Sequence, residues 1–251
     1  RIRQIFRWGA SEELCSYRVY RRLRTIPGLA IGEEGVREKP AVSDVDTATV
    51  EATLKHLPPV VGDMVQLQLL TGARPDEICA LRPSEIDRTR KVWRYRPAQH
   101  KNKHRGLDRV VFIGRKGQKI LRPYLDRPAD SYCFSPAEGE QGRLTELHER
   151  RKTPLNHGNR PGTNRRTKPK RKPGARYTTA SLRRAIHRAC EKAQITPWSP
   201  NRLRHAAATK AREIGGLDAS QAILGHQHAK MSETYAHLNL QKAEEVIRQI
   251  G

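Results

Sequence analysis

In Thr71-Gly72-Ala73-Arg74-Pro75-Asp76-Glu77-Ile78 an apolar run stops at a glycine, an arginine follows, and a proline opens the next segment. This punctuation predicts a helix ending at Gly72 and another starting at Pro75, with Arg74 on the short turn between them. A guanidinium held that rigidly suits bidentate contact with a phosphate, although arginines at helix junctions are more often caps or surface residues. Two other stretches carry comparable groups. Asn201-Arg202-Leu203-Arg204-His205-Ala206-Ala207-Ala208-Thr209 sets a second arginine between a carboxamide and an imidazole. Leu224-Gly225-His226 is followed, nine residues after the histidine, by Tyr235 in Ser232-Glu233-Thr234-Tyr235-Ala236-His237.

These three blocks, in this order and at these spacings, resemble the active-site boxes of the tyrosine recombinases (phage integrase family). The boxes of that family read TGxRxxE(I/L), HxLRH, and LGH with a tyrosine nine residues on. The resemblance covers residues 42–250, and the helical stretch at 1–25 resembles the end of the family's core-binding domain. It implies a tyrosine recombinase catalytic domain fold, mainly α with a small antiparallel β-sheet. The implied activity is cutting and rejoining of DNA through a 3′-phosphotyrosine at Tyr235, with no metal, ATP or other cofactor. The implied partners are double-stranded DNA and further copies of the chain, as a tetramer on that DNA. The implied setting is the cytoplasm of a bacterium or its phages and mobile elements.

The chemistry explains these residue types. A phosphodiester repels a nucleophile, and more negative charge builds on its oxygens in the transition state. Arg74 and Arg204 would supply fixed positive charge there. A tyrosine hydroxyl, with an unperturbed pKa of about 10, needs nearby cations to favour its phenolate. The family protonates the leaving 5′-oxygen from a lysine in a β-hairpin turn. Here that turn is Gln99-His100-Lys101-Asn102-Lys103-His104-Arg105-Gly106, in which Lys101 matches best and Lys103 is the alternative. His226 is implied to contact the phosphate. The catalytic group implied is therefore Arg74, Lys101, Asn201, Arg204, His226 and Tyr235.

One position departs from the family. The usual histidine three residues before the second arginine is Asn201, which can hydrogen-bond a phosphate oxygen but cannot shuttle a proton at neutral pH. Either Asn201 only positions, or activity is reduced and proton handling rests on Lys101 and His226. His205 reads as a packed structural residue or a DNA contact. Glu77 is expected to anchor the active-site helices by bonding His205 or an arginine. Two other functions stay open: a type IB topoisomerase-like activity, and a catalytically silent DNA-binding protein, which Asn201 favours. A metal site from His205, His226, His228 and His237 is disfavoured, because no cysteine or carboxylate stands at suitable spacing.

The elements that must position these groups follow from periodicity. Residues 1–25 repeat apolar side chains at three- and four-residue spacing, which predicts a helix. Residues 27–43 carry Gly28, Gly32, Gly35 and Pro40 among mixed charges and read as a linker, and a catalytic domain is expected over 44–251. Asp46 should cap a helix running to about His56, and Pro58-Pro59 should open another ending at Gly72, with Val60, Leu69 and Leu70 among its core residues. Val92–Tyr95 and Arg109–Ile113 read as short strands around the basic turn. Helices are expected near 118–125, through Leu182–Ala193, and in pieces at about 200–213, 218–224, 230–237 and 240–250. The last piece would pack on a neighbouring subunit or fold back on its own domain. Because Arg1 opens inside a helical pattern, a further N-terminal region is expected upstream.

Composition agrees with a polyanionic partner: 49 Lys and Arg against 26 Asp and Glu leave a formal charge of +23. Each neutralised phosphate releases condensed counterions, which favours nucleic acid. No apolar run approaches the roughly 20 residues needed to span a bilayer, so no membrane partner is expected. Cys15, Cys79, Cys133 and Cys190 show no paired spacing and read as reduced core thiols. A basic insertion is expected at about 138–176, disordered in the free protein. Its residues 150–176 hold Arg165, Arg166, Lys168, Lys170, Arg171, Lys172 and five further cations with no acid. It reads as a DNA-tracking arm or a solvated charge run, and Lys103, Arg105 and His205 are further candidate DNA contacts.

Overall fold

In the computed structural model, the described residues are 2–28, 43–100, 103, 106, 108–154, 157 and 173–225. The chain divides into two compact units, residues 1–42 and 43–251. In the first, the helix expected over 1–25 is two helices, α1 (Ile2–Ser11) and α2 (Tyr17–Thr25). Glu13 takes a left-handed φ of 58° and the N–H groups of Leu14 and Cys15 both close on the Gly9 carbonyl, which ends α1. Ser16 then caps α2, its hydroxyl accepting from the Arg18 N–H at 3.3 Å. Ile2, Ile5 and Trp8 stay exposed, since two short helices offer too little surface to cover them.

The second unit is built around α4 (Pro59–Thr71). Pro59 supplies the helix start, and Gly72 closes it with φ 63°, its N–H donating to the Gln68 carbonyl at 2.9 Å. A Cβ on Gly72 would lie 3.2 Å from Leu224 Cδ2, so glycine also permits a close approach of the last helix. Val61, Met64, Val65 and Leu67 are buried along α4, whereas Leu70, expected in the core, is 46% exposed because it lies on the opposite face. Before α4 comes α3 (Thr47–Leu54), with Asp46 accepting from the Thr49 N–H at 2.7 Å as its cap. After it comes the short α5 (Pro75–Ala80).

Three antiparallel strands follow in the order β1 (Ile86–Asp87), β2 (Trp93–Tyr95), β3 (Val111–Ile113). Tyr95 pairs with Ile86 on one side and Val111 on the other. The sheet matches the expected α+β class, but β1 has only two residues and no readable pattern. Next come α6 (Arg115–Leu121), α7 (Pro136–Glu149), α8 (Thr179–Lys192) and α9 (Asn201–Leu224). The last leaves helical geometry at Gly216 (φ 76°, ψ −171°), which accounts for its expected division into two pieces.

Helix α7 corrects one expectation. Residues 138–149, placed in a disordered insertion, are helical. Unlike the basic run after them they carry Glu138, Glu140, Glu146 and Glu149, and Arg143 makes a two-point pair with Glu140 at 2.9 and 2.6 Å. Most of the basic run, including Arg165, Arg166, Lys168, Lys170, Arg171 and Lys172, lies outside the described residues. So does everything after Gly225, including the helical pieces expected at 230–237 and 240–250.

The core joins α4 to Ile78, Leu81, Tyr95, Ile113, Leu182, Ile186, Trp198 and Leu203, all fully or almost fully buried. Among its buried polar groups, Trp198 Nε1 donates to Thr53 Oγ1 at 3.0 Å, and the Tyr95 hydroxyl to the Glu77 carbonyl at 2.9 Å. Burial pushes the Cys79 and Cys133 thiols up to about 12, as suits unreactive core cysteines.

Candidate active site

Arg74 occupies the turn between α4 and α5, as its neighbours Gly72 and Pro75 require. Its conformation is held by Glu77 one turn ahead. One carboxylate oxygen accepts from the Arg74 backbone N–H at 2.8 Å, capping α5; the other accepts from Arg74 Nη1 at 2.8 Å. Glu77 is 1% exposed. Burial raises its carboxyl pKa, but the charge of Arg109, the Arg74 N–H and the charge of Arg74 outweigh it and hold the group below the usual carboxylate range. The partner of Glu77 is thus a pair of arginines, one of the two possibilities the sequence left open.

Arg204 lies in the first turns of α9 and is 3% exposed. Its guanidinium reaches both other blocks. Nη1 donates to the Gly72 carbonyl at 2.6 Å, two residues before Arg74, and Nη2 to the Leu224 carbonyl at 2.7 Å, two residues before His226. Gln68 adds a second tie, its Nε2 donating to the carbonyls of Ala73 (3.3 Å) and Pro200 (2.9 Å). Segments far apart in sequence therefore meet at one guanidinium.

Asn201 and His205, one turn apart on α9, face each other: Asn201 Nδ2 stands 3.1 Å from His205 Nε2. Burial and the charge of Arg204 push the His205 pKa below the ordinary imidazole range, against the pull of Asp44. The Asn201 amide nitrogen can only donate, so the pair is a hydrogen bond in the tautomer that leaves His205 Nε2 unprotonated. Lys103 is exposed in the β2–β3 connection and its ammonium donates to the Ala98 carbonyl. Lys101, Arg105, His226 and Tyr235 lie outside the described residues.

Sequence reasoning missed Arg109. It precedes β3, is 5% exposed, and donates through Nε and Nη2 to Glu77 at 3.2 and 3.4 Å. A signal was available: with a two-residue period, Arg109 shares a face with Val111 and Ile113, both buried, and a charge on an inward face demands a partner. Arg74, Arg109 and Arg204 thus gather at Glu77 and the α4–α5 turn, a cationic arrangement suited to an anionic ligand. Among the described residues, no group of three or more histidines, cysteines or carboxylates is placed to hold a metal ion. No described helix is long and apolar enough to cross a membrane.

Comparison with known proteins places this geometry. Over 178 residues the chain is 28% identical to the tyrosine recombinase XerC of Corynebacterium glutamicum, covering 70% of this chain and 46% of that protein. The chain thus spans less than half the length of that relative. Among solved structures, its fold is similar to the XerA recombinase (TM-score 0.55, 20% identity, covering 92% of this chain and 71% of that one). It is also similar to the Tn1549 transposon integrase in complex with transposon right end DNA (TM-score 0.58, 15% identity, 98% and 84%). The family model "Phage integrase family" matches residues 48–242, most of the chain and all three blocks. With a family model matched over most of its length, the chain belongs to the phage integrase family.

Proposed function

We propose that this chain is the catalytic part of a tyrosine-type site-specific recombinase, acting on double-stranded DNA. The observation that carries the reading is the position of Arg204, whose fork binds the first block at Gly72 and the third at Leu224. In the proposed reaction the Tyr235 hydroxyl gives up its proton to solvent, its oxygen attacks the scissile phosphorus, and the P–O bond to the 5′-oxygen breaks as that oxygen takes a proton from Lys101. The product is a 3′-phosphotyrosine and a free 5′-hydroxyl. Arg74, Arg204 and His226 bind the phosphate oxygens as charge develops on them. The phosphotyrosine conserves the energy of the broken bond, so the reverse attack by a 5′-hydroxyl needs neither ATP nor a metal. Exchange between two duplexes cuts four strands with one tyrosine each, which makes a tetramer on DNA part of the proposal.

A nicked suicide substrate tests this directly. The protein should form a covalent adduct that survives a denaturing gel, and Tyr235→Phe should bind DNA with near-normal affinity yet form none. Persistence of the adduct in that variant would remove Tyr235 from the role of nucleophile.

A second reading, a DNA-binding protein of this fold without strand transfer, is favoured by Asn201. Its amide is committed to His205 and supplies no titrating group. Gel retardation without any adduct from the unaltered protein would establish it. The same substrate, offered with and without a competing 5′-hydroxyl strand, separates recombination from simple relaxation.

A further inference from the structure

Arg109 belongs to none of the three blocks, yet its guanidinium is used on every side. Nε and Nη2 face the two carboxylate oxygens of Glu77, while Nη1 donates to the carbonyls of Ile223 (3.0 Å) and Val110 (3.2 Å). One planar group therefore connects the carboxylate that orients Arg74 to the last turn of α9. The neighbouring carbonyl, Leu224, is held by Arg204. Two cations from different elements thus grip the consecutive end carbonyls of α9, which carry partial negative charge and have no partner within the helix. The chain then turns at Gly225 (φ 64°), where a Cβ would lie 2.8 Å from Arg109 Nη1. The next residue in the sequence is His226.

We propose that Arg109 is a positioning residue for strand cleavage: it fixes the distance between the Arg74 turn and the helix end that leads into His226. The inference rests on the proposed recombinase activity. A lysine cannot take the place of this arginine, because one ammonium on a flexible stem cannot span Glu77 and Ile223 with fixed geometry. Arg109 donates to protein groups in all these bonds, so its loss should act on the reacting geometry and leave DNA affinity almost untouched.

The test compares Arg109→Lys with the unaltered protein, using DNA affinity by gel retardation and the single-turnover rate of adduct formation at saturating DNA. Both are measured at a temperature where circular dichroism shows the variant folded. The expected result is affinity within about threefold and a rate lower by roughly a hundredfold, the scale of a misplacement near 1 Å. A rate within threefold of the unaltered protein, or a loss no greater than the unfolded fraction, overturns the inference. So does an equal loss in affinity and rate, which is the mark of a merely structural residue. Should Arg109→Lys not fold, Arg109→Gln carries the test, because its single amide NH2 group can donate to Glu77 or to the Ile223 carbonyl but cannot bridge both. The same split between rate and affinity is expected, and an unchanged rate again overturns the inference. An unaltered protein that forms no adduct overturns the proposed function and this inference together; an adduct with an undiminished variant rate overturns this inference alone.

Discussion

Replacing Glu77 with glutamine changes one atom type in the middle of the site. The carboxylate accepts four times, from Arg74 Nη1 and Arg109 Nε at one oxygen, and from the Arg74 N–H and Arg109 Nη2 at the other. An amide can keep only one of these pairs. Its NH2 group must then face two donors, and two guanidiniums lose their counter-charge in a site that is almost fully buried. Removing one partner of a buried ion pair costs about 3–5 kcal/mol. For a unit of this size each kcal/mol lowers the melting temperature by about 2–4 °C, so a drop of roughly 6–20 °C is expected. The sign with pH follows from the depressed carboxyl. Glu77 stabilises the fold above the ordinary carboxylate pKa, and that contribution is lost as pH falls through its lower folded value. The penalty should therefore be full at pH 7 and shrink in acid. Thermal melts of both proteins from pH 7 down to about pH 3 measure it, with single-turnover cleavage at saturating DNA as the functional readout. A melting temperature within 2 °C of the unaltered protein at pH 7 would refute the ion-pair reasoning, and a cleavage rate kept within threefold would separate Glu77 from the positioning of Arg74.

Gly72→Ala forces an L residue to φ 63° and sets a methyl 3.2 Å from Leu224 Cδ2 and 3.4 Å from Ala207 Cβ. A destabilisation of at least about 1–2 kcal/mol in urea titration is expected from the backbone strain alone, and an unchanged stability would show that the turn relaxes freely. Asn201→His restores a titrating group at a position where the family usually has one. Adduct formation should rise by at least about tenfold and acquire a dependence on pH near the imidazole range; a flat or falling rate would mean that the Asn201–His205 pair is an adapted arrangement. Deletion of residues 150–176 removes eleven cations. It should lower non-specific affinity and reduce the slope of log K against log salt by about 0.9 for each phosphate no longer neutralised, so an unchanged slope would show that this segment does not touch DNA.

Local rules read along the chain were sufficient for several elements. Asp46 caps α3, Pro59 starts α4, Gly72 ends it, and Pro75 starts α5, because each depends on backbone geometry within a few residues. They were insufficient at Glu12–Ser16, where local propensity continues a helix that the chain breaks, and at β1, too short to carry a period. They also misassigned residues 138–149, because net charge was weighed over a longer window than the helix occupies.

The composition, the three blocks and their order identify the family without any coordinates, since residue types and spacing along a chain are local quantities. What holds the blocks together is not local. That Arg204 would span Gly72 and Leu224, that Glu77 would take two arginines and leave His205 to Asn201, and that Arg109 would join the site at all depends on which groups lose their water together. A buried charge must find its partner wherever the packing of α4, β3 and α9 brings one within reach, and only the folded chain determines which one that is.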